Sequence, residues 1–169
     1  MGEDAKPESK PARAVKAGGA RSAARLAAVQ AIYQIEMTDG NPRNVVAEFG
    51  KYRLNPFDAD GDELVSADET LFAELVSGTY AQLPELDAQI AKVLAADWPI
   101  ERLEMVLRAI LRLGAYELAS RIDVPARVVI TEYLDIAHAF FAGKEPGMVN
   151  GVLDRLAHLA RGGEMSRDR

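Results

Sequence analysis

The sequence predicts an all-α protein of about seven helices arranged in two packed sub-bundles. Apolar residues recur at three- and four-residue spacing in each long segment after residue 20, which is the period of an amphipathic helix. Asn, Ser, Pro and Gly stand where these segments begin and end, as they do at helix termini. No pair of alternating segments that would predict a β-hairpin is evident. Together these observations favour a helical bundle.

The composition predicts a compact cytoplasmic protein. The chain has 169 residues, of which 49% are hydrophobic, and no cysteine, so disulfides and thiolate metal sites are excluded. No apolar run approaches the ~20 residues of a membrane span, and the first residues lack the apolar core of a signal peptide. We expect a disordered basic tail over 1–20, one helical domain over 21–162 with sub-bundles of about 21–83 and 84–162, and a disordered tail over 163–169.

The first two helices are predicted on either side of a turn at residues 38–41. The first runs from Arg21 to about Met37, and the second begins with Asn41 as N-cap and Pro42 as its first residue. The predicted buried stripe of the first helix consists of Leu26, Val29, Ile32, Tyr33 and Met37.

An acidic loop at 55–63 separates the second helix from the third. Ser66 and Glu69 form a capping box that predicts the start of the third helix, and Pro84 opens a fourth. Asp58, Asp60, Asp62 and Glu69 occupy positions 1, 3, 5 and 12 of a calcium-loop template. The template requires Gly at position 6, where Glu63 stands, so a solvated loop is favoured over a calcium site.

The broadest apolar face belongs to a predicted central helix over Glu101–Leu118. Pro99 lies in its first turn, with Trp98 just outside. The face consists of Leu103, Val106, Leu107, Ile110, Leu111, Gly114 and Leu118, widened by Leu113 and Tyr116. The remaining polar positions are Glu101, Arg102, Glu104, Arg108, Arg112 and Glu117.

Two further helices complete the bundle. Asp123 is a plausible cap for the sixth, Pro125 lies in its first turn, and helical spacing continues to Phe141. Pro146 starts the last helix, and Gly162-Gly163 stops it. Its predicted stripe consists of Val149, Val152, Leu153, Leu156 and Leu159.

The charge distribution indicates a basic arm at the N-terminus. Net charge is −6, yet every charged residue from Lys10 to Arg25 is basic, which is typical of an arm that binds polyanions. Arg21 and Arg25 are four apart and should share a face at the start of the first helix, where a phosphate would relieve their unfavourable interaction with the helix dipole. A solvated, disordered tail without a ligand is the alternative.

The sequence argues against catalysis. It has no nucleophile elbow, phosphate-binding loop or dinucleotide fingerprint, and no cysteine. Asp135 with His138 and Asp154 with His158 could each share a helix face, as ligands do in di-iron bundles. Their unequal spacing and the use of Asp favour ordinary helix pairs over a metal site, so we expect no metal and no cofactor.

Four segments resemble the NusB family of bacterial transcription antitermination factors. They are VQAIYQIEM at 29–37, LRAILRLGAYEL at 107–118, DVPARVVITEYLDIAHAFF at 123–141 and VNGVLDRLA at 149–157. Each alone is a modest helix pattern, but in this order and spacing they are specific and cover most of residues 21–160.

The resemblance implies a non-enzymatic, all-helical RNA-binding protein of two sub-bundles. Members pair with the ribosomal protein NusE and hold the boxA element of nascent RNA, notably in ribosomal RNA operons. The complex joins other Nus factors on RNA polymerase and suppresses premature termination. A homodimer of the free protein is also possible.

The resemblance also implies site residues in this chain, on two surfaces. The implied partner-binding residues include Leu107, which stands where many members have an acid. Met148 stands where the family has Phe, which weakens or removes stacking on a base. The implied RNA contacts are Arg13, Lys16, Arg21, Arg25, Glu101, Arg112, Met148, Asn150 and Gly151. The implied contacts with NusE are Tyr33, Met37, Leu107 and Arg108. We expect Arg21, Arg25 and Asn150 to converge on one RNA surface.

Two alternatives stay open. One is a stand-alone relative of the N-terminal module of ribosomal RNA methyltransferases, whose catalytic domain would require a nucleotide-binding fingerprint and cysteines. The other is a helical protein-binding scaffold that does not bind RNA. Salt-dependent binding of RNA would distinguish it from the antitermination factor.

Overall fold

A computed structural model describes residues 19–54 and 66–167 of the chain. All regular structure in these two ranges is helical, which confirms the all-α prediction. Eight α-helices follow one another in the described residues: α1 (Gly19–Thr38), α2 (Pro42–Tyr52), α3 (Glu69–Ala81), α4 (Leu83–Val93), α5 (Met105–Ser120), α6 (Ala126–Phe140), α7 (Glu145–Ala160) and α8 (Gly162–Arg167). None of them is long and apolar enough to cross a membrane. The acidic loop at 55–63, with Asp58, Asp60 and Asp62 of the calcium-loop template, lies outside the described residues.

Helix α5 is the centre of the molecule, as the sequence predicts. It packs against α1, α3, α4, α6 and α7, and 11 of its 16 residues are buried. Because neighbouring helices surround it, the buried set extends beyond one apolar stripe and includes Arg112 and Glu117. These two residues, predicted as polar positions outside the apolar face, are therefore inside the fold.

Two glycines allow neighbouring helices to approach α5 closely. A Cβ atom on Gly78 of α3 would lie 2.3 Å from the Tyr116 ring, and one on Gly114 would lie 2.7 Å from Leu153 of α7. Both distances are far below van der Waals contact, so larger side chains there would push α3 and α7 away from the central helix.

The helices fall into two sets that share one core. Helices α1, α2 and α3 pack on one another. In the second set, α5 and α7 pack on each other and on both α4 and α6, and α1 and α3 also pack on α5. The buried apolar residues of both sets form one continuous cluster. The boundary between sub-bundles near residues 83 and 84 stays a prediction.

The central helix begins later than predicted. Pro99 precedes a single 3₁₀ turn at Ile100–Arg102, after which Leu103 adopts an extended conformation with φ −65° and ψ 143°. Glu104 then caps α5, since its carboxylate accepts hydrogen bonds from two amides of the first turn at 3.1 and 3.3 Å. Glu101 therefore lies on the separate turn and not on the central helix.

At the starts of α3 and α6, the carboxylate that accepts a hydrogen bond from a first-turn amide does not belong to the predicted N-cap residue. Asp68, and not Ser66, caps α3: its backbone is extended and its carboxylate accepts from the amide of Leu71 at 3.0 Å. At α6 the predicted cap Asp123 instead forms an ion pair with Arg121. The acceptor for the amide of Ala126 is Glu164, 38 residues along the chain, at 2.7 Å.

The C-terminal glycines begin a helix and do not end the chain's ordered structure. Gly162 opens α8, which buries Met165, so the expectation of a disordered tail from residue 163 is wrong for residues 163–167. The turn between α7 and α8 is held by Arg161, a buried residue whose guanidinium donates to four backbone carbonyls, those of Glu117, Leu118, Arg121 and Val124. Leu159, predicted in the buried stripe of α7, is exposed.

Candidate nucleic-acid and partner interface

The N-terminal half of α5 joins α1 and α4 through four charged side chains. Arg112 donates from Nε and Nη2 to the two carboxylate oxygens of Asp87 on α4, both at 2.8 Å, and pairs through Nη1 with Glu36 on α1. Glu36 also accepts from Arg108 Nη2 at 3.0 Å. Burial lowers the pKa of Arg112, but the hydrogen bonds and charges of Asp87 and Glu36 together outweigh it and raise the pKa above its ordinary value. We call Glu36, Asp87, Arg108 and Arg112 the open cluster.

A pocket of about 510 Å³ adjoins the open cluster. Ala88, Ala91 and Ile100 form an apolar part of its lining, while Glu101 is exposed to solvent. The Nε atom of Arg108 is buried without a hydrogen-bond partner among the described residues. A pocket with apolar walls and a few polar groups is suited to a side chain that has both an apolar stem and a polar end.

The C-terminal half of α5 carries a second cluster, which is sealed from water. Arg25 of α1 donates from Nε and Nη2 to the two oxygens of Glu117, both at 2.9 Å, and Tyr133 of α6 donates to Glu117 at 2.5 Å. The side chains of Arg25 and Glu117 are 2% and 0% exposed. Burial, and then the charge of Glu117, raises the pKa of Tyr133 well above its ordinary value. We call these three residues the closed cluster.

Burial changes the set of candidate RNA contacts. Arg25 does not present its guanidinium beside that of Arg21, as the sequence predicted, because both donor edges face carboxylates inside the fold. Arg112 is likewise buried and paired. Neither cation can neutralise a phosphate without breaking an internal ion pair, so we remove both from the candidate surface.

Arg21 is the predicted cation of α1 that the structure leaves exposed. It follows directly on the N-terminal arm, whose candidate residues Arg13 and Lys16 lie outside the described residues. A phosphate near Arg21 would also meet the positive end of the α1 dipole.

The start of α7 presents a mixed surface. Asn150 is exposed and Met148 is half-buried against the core. A Cβ atom added at Gly151 would meet no atom outside its own stretch of helix within 4 Å. An amide side chain and an uncrowded glycine can both contact a base or a backbone that approaches closely.

Arg21 and Asn150 lie toward opposite ends of α5. Helix α1 is antiparallel to α5, since Arg25 contacts Glu117 while Glu36 contacts Arg108 and Arg112, so Arg21 lies near the C-terminal end of α5. The neighbouring helix α7 is parallel to α5, because Gly114 faces Leu153 while Arg161 reaches the carbonyl of Leu118, and this places Asn150 beside the N-terminal half. The offset is about nine residues, or roughly 14 Å along the axis. Burial removes Arg25 from the expected shared RNA surface. Arg21 and Asn150 are offset along α5, and their convergence on one RNA surface stays a prediction.

The predicted partner residues differ in how far they are exposed. Met37, predicted in the buried stripe, is 53% exposed at the end of α1, and Tyr33 is half-buried one turn before it. Both flank Glu36 and so lie beside the open cluster. Leu107 is part of the core, and Arg108 is held by Glu36. Loss of an acid at position 107 therefore does not leave a surface gap.

Sequence reasoning missed Glu36 and Asp87, the carboxylates that hold the open cluster. Helical spacing places Glu36 on a buried face, since it is four residues after the core residue Ile32. The same holds for Glu117 of the closed cluster, which is three residues after Gly114 and four after Leu113. An acid at helical spacing from core residues is a usable signal of an internal ion pair. Its partner cannot be read from spacing, since Arg25 and Glu117 are 92 residues apart.

The predicted Asp–His pairs do not build a larger cluster. His158 lies 3.5 Å from Asp154 across one helical turn, and both side chains are largely exposed. Within residues 19–54 and 66–167, no group of three or more His, Cys, Asp or Glu side chains could hold a metal ion.

Comparison with known proteins identifies the family. The NusB family matches residues 22–158. The chain is 49% identical over 141 residues to the transcription antitermination protein NusB of Caulobacter vibrioides, which covers 83% of this chain and 94% of the relative. It is 45% identical to the protein of the same name from Rhodopseudomonas palustris, with 95% of each chain covered.

Solved structures agree with these relatives. The fold matches T. maritima NusB with a TM-score of 0.70 and 28% identity, covering 86% of this chain and 96% of that one. It also matches a crystal structure of the antitermination factors NusB and NusE in complex with dsRNA, with a TM-score of 0.61 and 26% identity over 82% of this chain and 96% of that one. From the family match, the relatives and the fold, the chain belongs to the NusB family.

Proposed function

We propose that this protein is a transcription antitermination factor that binds the boxA element of nascent ribosomal RNA together with the ribosomal protein NusE. In this proposal it acts without catalysis, and the complex joins other Nus factors and helps RNA polymerase resist premature termination. The observation that carries the proposal is the match, over most of both chains, to a NusB fold in a complex that also holds NusE and RNA.

The proposed RNA surface combines the N-terminal arm, which lies outside the described residues, with residues of α1 and α7. It begins at the arm with Arg13 and Lys16, continues at Arg21, and reaches Asn150 and its neighbours Met148 and Gly151, with Glu101 beside the pocket. Since Arg21 and Asn150 are separated along α5, they contact different nucleotides of one strand. Arg21 and the arm neutralise phosphates, and Asn150 contacts a base edge.

The proposed NusE surface lies at the open cluster. Met37 offers an exposed apolar side chain at the end of α1, Tyr33 lies one turn away, and the pocket beside Arg108 offers a recess with an apolar wall. An exposed apolar residue next to a partly polar recess is a common feature of protein interfaces.

A gel-shift titration tests the RNA proposal. We expect unpaired boxA RNA to bind more tightly than a scrambled strand when NusE is present, and binding to weaken steeply from low to moderate salt. Arg21→Gln should weaken binding at every salt concentration and lower the salt dependence by about one phosphate contact. Arg43→Gln, which removes another exposed arginine from the far end of α1 and the start of α2, is the matched control.

Two outcomes would contradict the proposal. Equal binding of boxA and scrambled RNA in the presence of NusE would remove sequence-specific recognition. Tighter binding of a double-stranded boxA duplex would assign the surface to paired RNA, the form in the solved complex with NusB and NusE.

A protein-binding scaffold without an RNA contact is the second candidate. It is favoured by the net charge of −6 and by the internal pairing of Arg25 and Arg112. It predicts that NusE binds while RNA retention is weak and does not depend on Arg21.

A further inference from the structure

We propose that the C-terminal end of α2, formed by Lys51, Tyr52 and Arg53, is a further contact for unpaired RNA. In this contact Tyr52 stacks on a base and the two flanking cations meet phosphates. The inference rests on the proposed RNA-binding function and assigns to it a surface that the family resemblance does not include.

Tyr52 is an exposed aromatic side chain with no packing role comparable to that of its neighbour. Its exposed fraction is 68%, whereas Phe49, one turn earlier, is fully buried and stacks on Phe72 at 5.5 Å between ring centroids. Phe49 thus anchors this end of α2 and Tyr52 is left facing solvent. Exposed aromatic rings are the platforms on which proteins stack unpaired bases of any sequence.

Two cations are the immediate neighbours of Tyr52 in the chain. Lys51 Nζ lies 5.2 Å from the Tyr52 ring centroid, and Arg53 follows directly, with its guanidinium 4.8 Å from the Phe49 ring centroid. Arg53 also lies 3.8 Å from Glu48, with both side chains about half exposed. An exposed ion pair of this kind is weak, so a phosphate can compete for the guanidinium.

Two hydrogen bonds connect this end of α2 to the start of α1. The amide of Ala67 donates to the carbonyl of Leu54 at 3.0 Å, and the next amide, of Asp68, donates to the carbonyl of Ala20 at 2.9 Å. Lys51, Tyr52 and Arg53 therefore lie close to Arg21 and to the point where the basic arm enters the fold. A strand held by the arm and Arg21 would pass within reach of them.

The residue at position 148 explains why a separate stacking platform is useful here. Met148 is half-buried and has no flat ring, so the start of α7 cannot stack a base as an aromatic residue would. Tyr52 supplies a flat surface, and it does so at the end of the molecule where the structure leaves Arg21 exposed.

The test is fluorescence anisotropy with a labelled unpaired oligonucleotide that contains boxA, using the full chain. Tyr52→Ala should weaken binding about tenfold, which corresponds to one lost stacking contact, while Tyr52→Phe, which keeps the ring, should bind as the wild type does. Lys51→Gln with Arg53→Gln should weaken binding and lower its salt dependence. Glu48→Gln should strengthen binding, because it frees Arg53 and removes a negative charge. Arg43→Gln, on the same helix at its other end, should change nothing.

Each outcome decides between the inference and the function on which it rests. If the wild type does not bind the oligonucleotide, with or without NusE, both fail. If the wild type binds and Arg21→Gln weakens it, but Tyr52→Ala binds as tightly as the wild type, this inference alone is overturned. If Tyr52→Ala weakens binding of NusE and leaves RNA affinity unchanged, the surface belongs to a protein partner and the inference is overturned as well.

Discussion

The two ends of α5 both place arginines against carboxylates, yet only the C-terminal end excludes water. In the closed cluster Arg25 and Glu117 are 2% and 0% exposed. In the open cluster the exposed fractions of the side chains range from 9% for Arg112 to 28% for Asp87. The same ionic chemistry therefore serves two purposes. At the closed cluster it fixes the packing of three helices, and at the open cluster it forms the floor of a surface that a partner can reach.

The difference follows from what covers each end. At the C-terminal end, residues of α1 and α6 both bind Glu117. Arg161, just before α8, donates to the carbonyl of Glu117 and so holds α8 against this end. At the N-terminal end, the chain before α5 forms only a short 3₁₀ turn, and this turn and α4 leave the pocket between them. Chain connectivity, more than residue type, decides which arginines stay accessible.

The largest expected effect comes from breaking the closed cluster. Glu117→Gln removes both close hydrogen bonds of the buried Arg25 charge to a carboxylate and leaves only Glu132, 3.8 Å away, as a counter-ion, so the free energy of unfolding should fall by about 3–5 kcal/mol. Asp87→Asn in the open cluster should cost about 1 kcal/mol or less, because Arg112 keeps its ion pair with Glu36 and the side chain at position 87 is partly exposed to water. Urea unfolding of both variants measures the difference, and equal losses would contradict the division into closed and open clusters.

Arg161→Gln should have the next largest effect. It removes the donor to four backbone carbonyls at the turns around α5 and α6, three of them in buried hydrogen bonds, and should lower the free energy of unfolding by about 3 kcal/mol. Arg155→Gln is the control, since Arg155 is exposed and donates to a single carbonyl, that of Val93. A change within about 0.5 kcal/mol for Arg161→Gln would mean that the carbonyls are hydrated and that α8 does not seal this end.

Tyr133→Phe should have a smaller effect. It removes one hydrogen bond to a buried carboxylate and leaves the ion pair of Glu117 with Arg25 in place, so the expected loss is about 1–2 kcal/mol. Thermal unfolding monitored by circular dichroism measures it. A loss as large as that of Glu117→Gln would show that the tyrosine, and not the arginine, stabilises the carboxylate.

The smallest expected difference between the two ends of α5 is in the titration of Tyr80, near Glu36, and Tyr133, at Glu117. Burial, and then the charge of Glu36, raises the pKa of Tyr80 to about 12 from the ordinary value of 10.0, and burial raises the pKa of Tyr133 well above its ordinary value. Because these tyrosines release protons less readily when folded, their contribution to stability is complete below pH 10, and the contribution of Tyr80 is lost as the pH rises through about 12. Tyrosinate absorbance should show Tyr80 titrating in the folded protein and Tyr133 only on unfolding. The Tyr80→Phe variant should lack the tyrosinate signal that the folded wild type shows. If the folded wild type shows no such signal before it unfolds, the prediction is contradicted.

Much of the fold could be predicted from the sequence, because apolar spacing and turn residues are local signals. Seven helices are found where spacing predicts them, and Asn41 and Pro42 begin α2 as expected. The errors concern interactions between distant residues. Glu164, and not Asp123, accepts the hydrogen bond from the first amide of α6. Helix α8 begins at the glycines that predict the end of the last helix. A local pattern cannot indicate a cap that lies 38 residues away.

The candidate site could be predicted only in part, for the same reason. Family resemblance identified polar positions on α1 and α5, but not whether each one faces solvent. Arg21 is exposed and Arg25 is buried, although both are arginines in the first two turns of one helix. What separates them is Glu117, whose position beside Arg25 depends on how α1 crosses α5.

Hydrogen exchange on addition of NusE alone tests most directly whether the open cluster is the binding surface and the closed cluster is internal. We predict slower exchange of amides at Tyr33–Met37 and Ile100–Arg108, with no change around Glu117 and Tyr133. Slower exchange confined to the closed cluster and α8, with the amides beside the pocket unchanged, would contradict this assignment of the two ends.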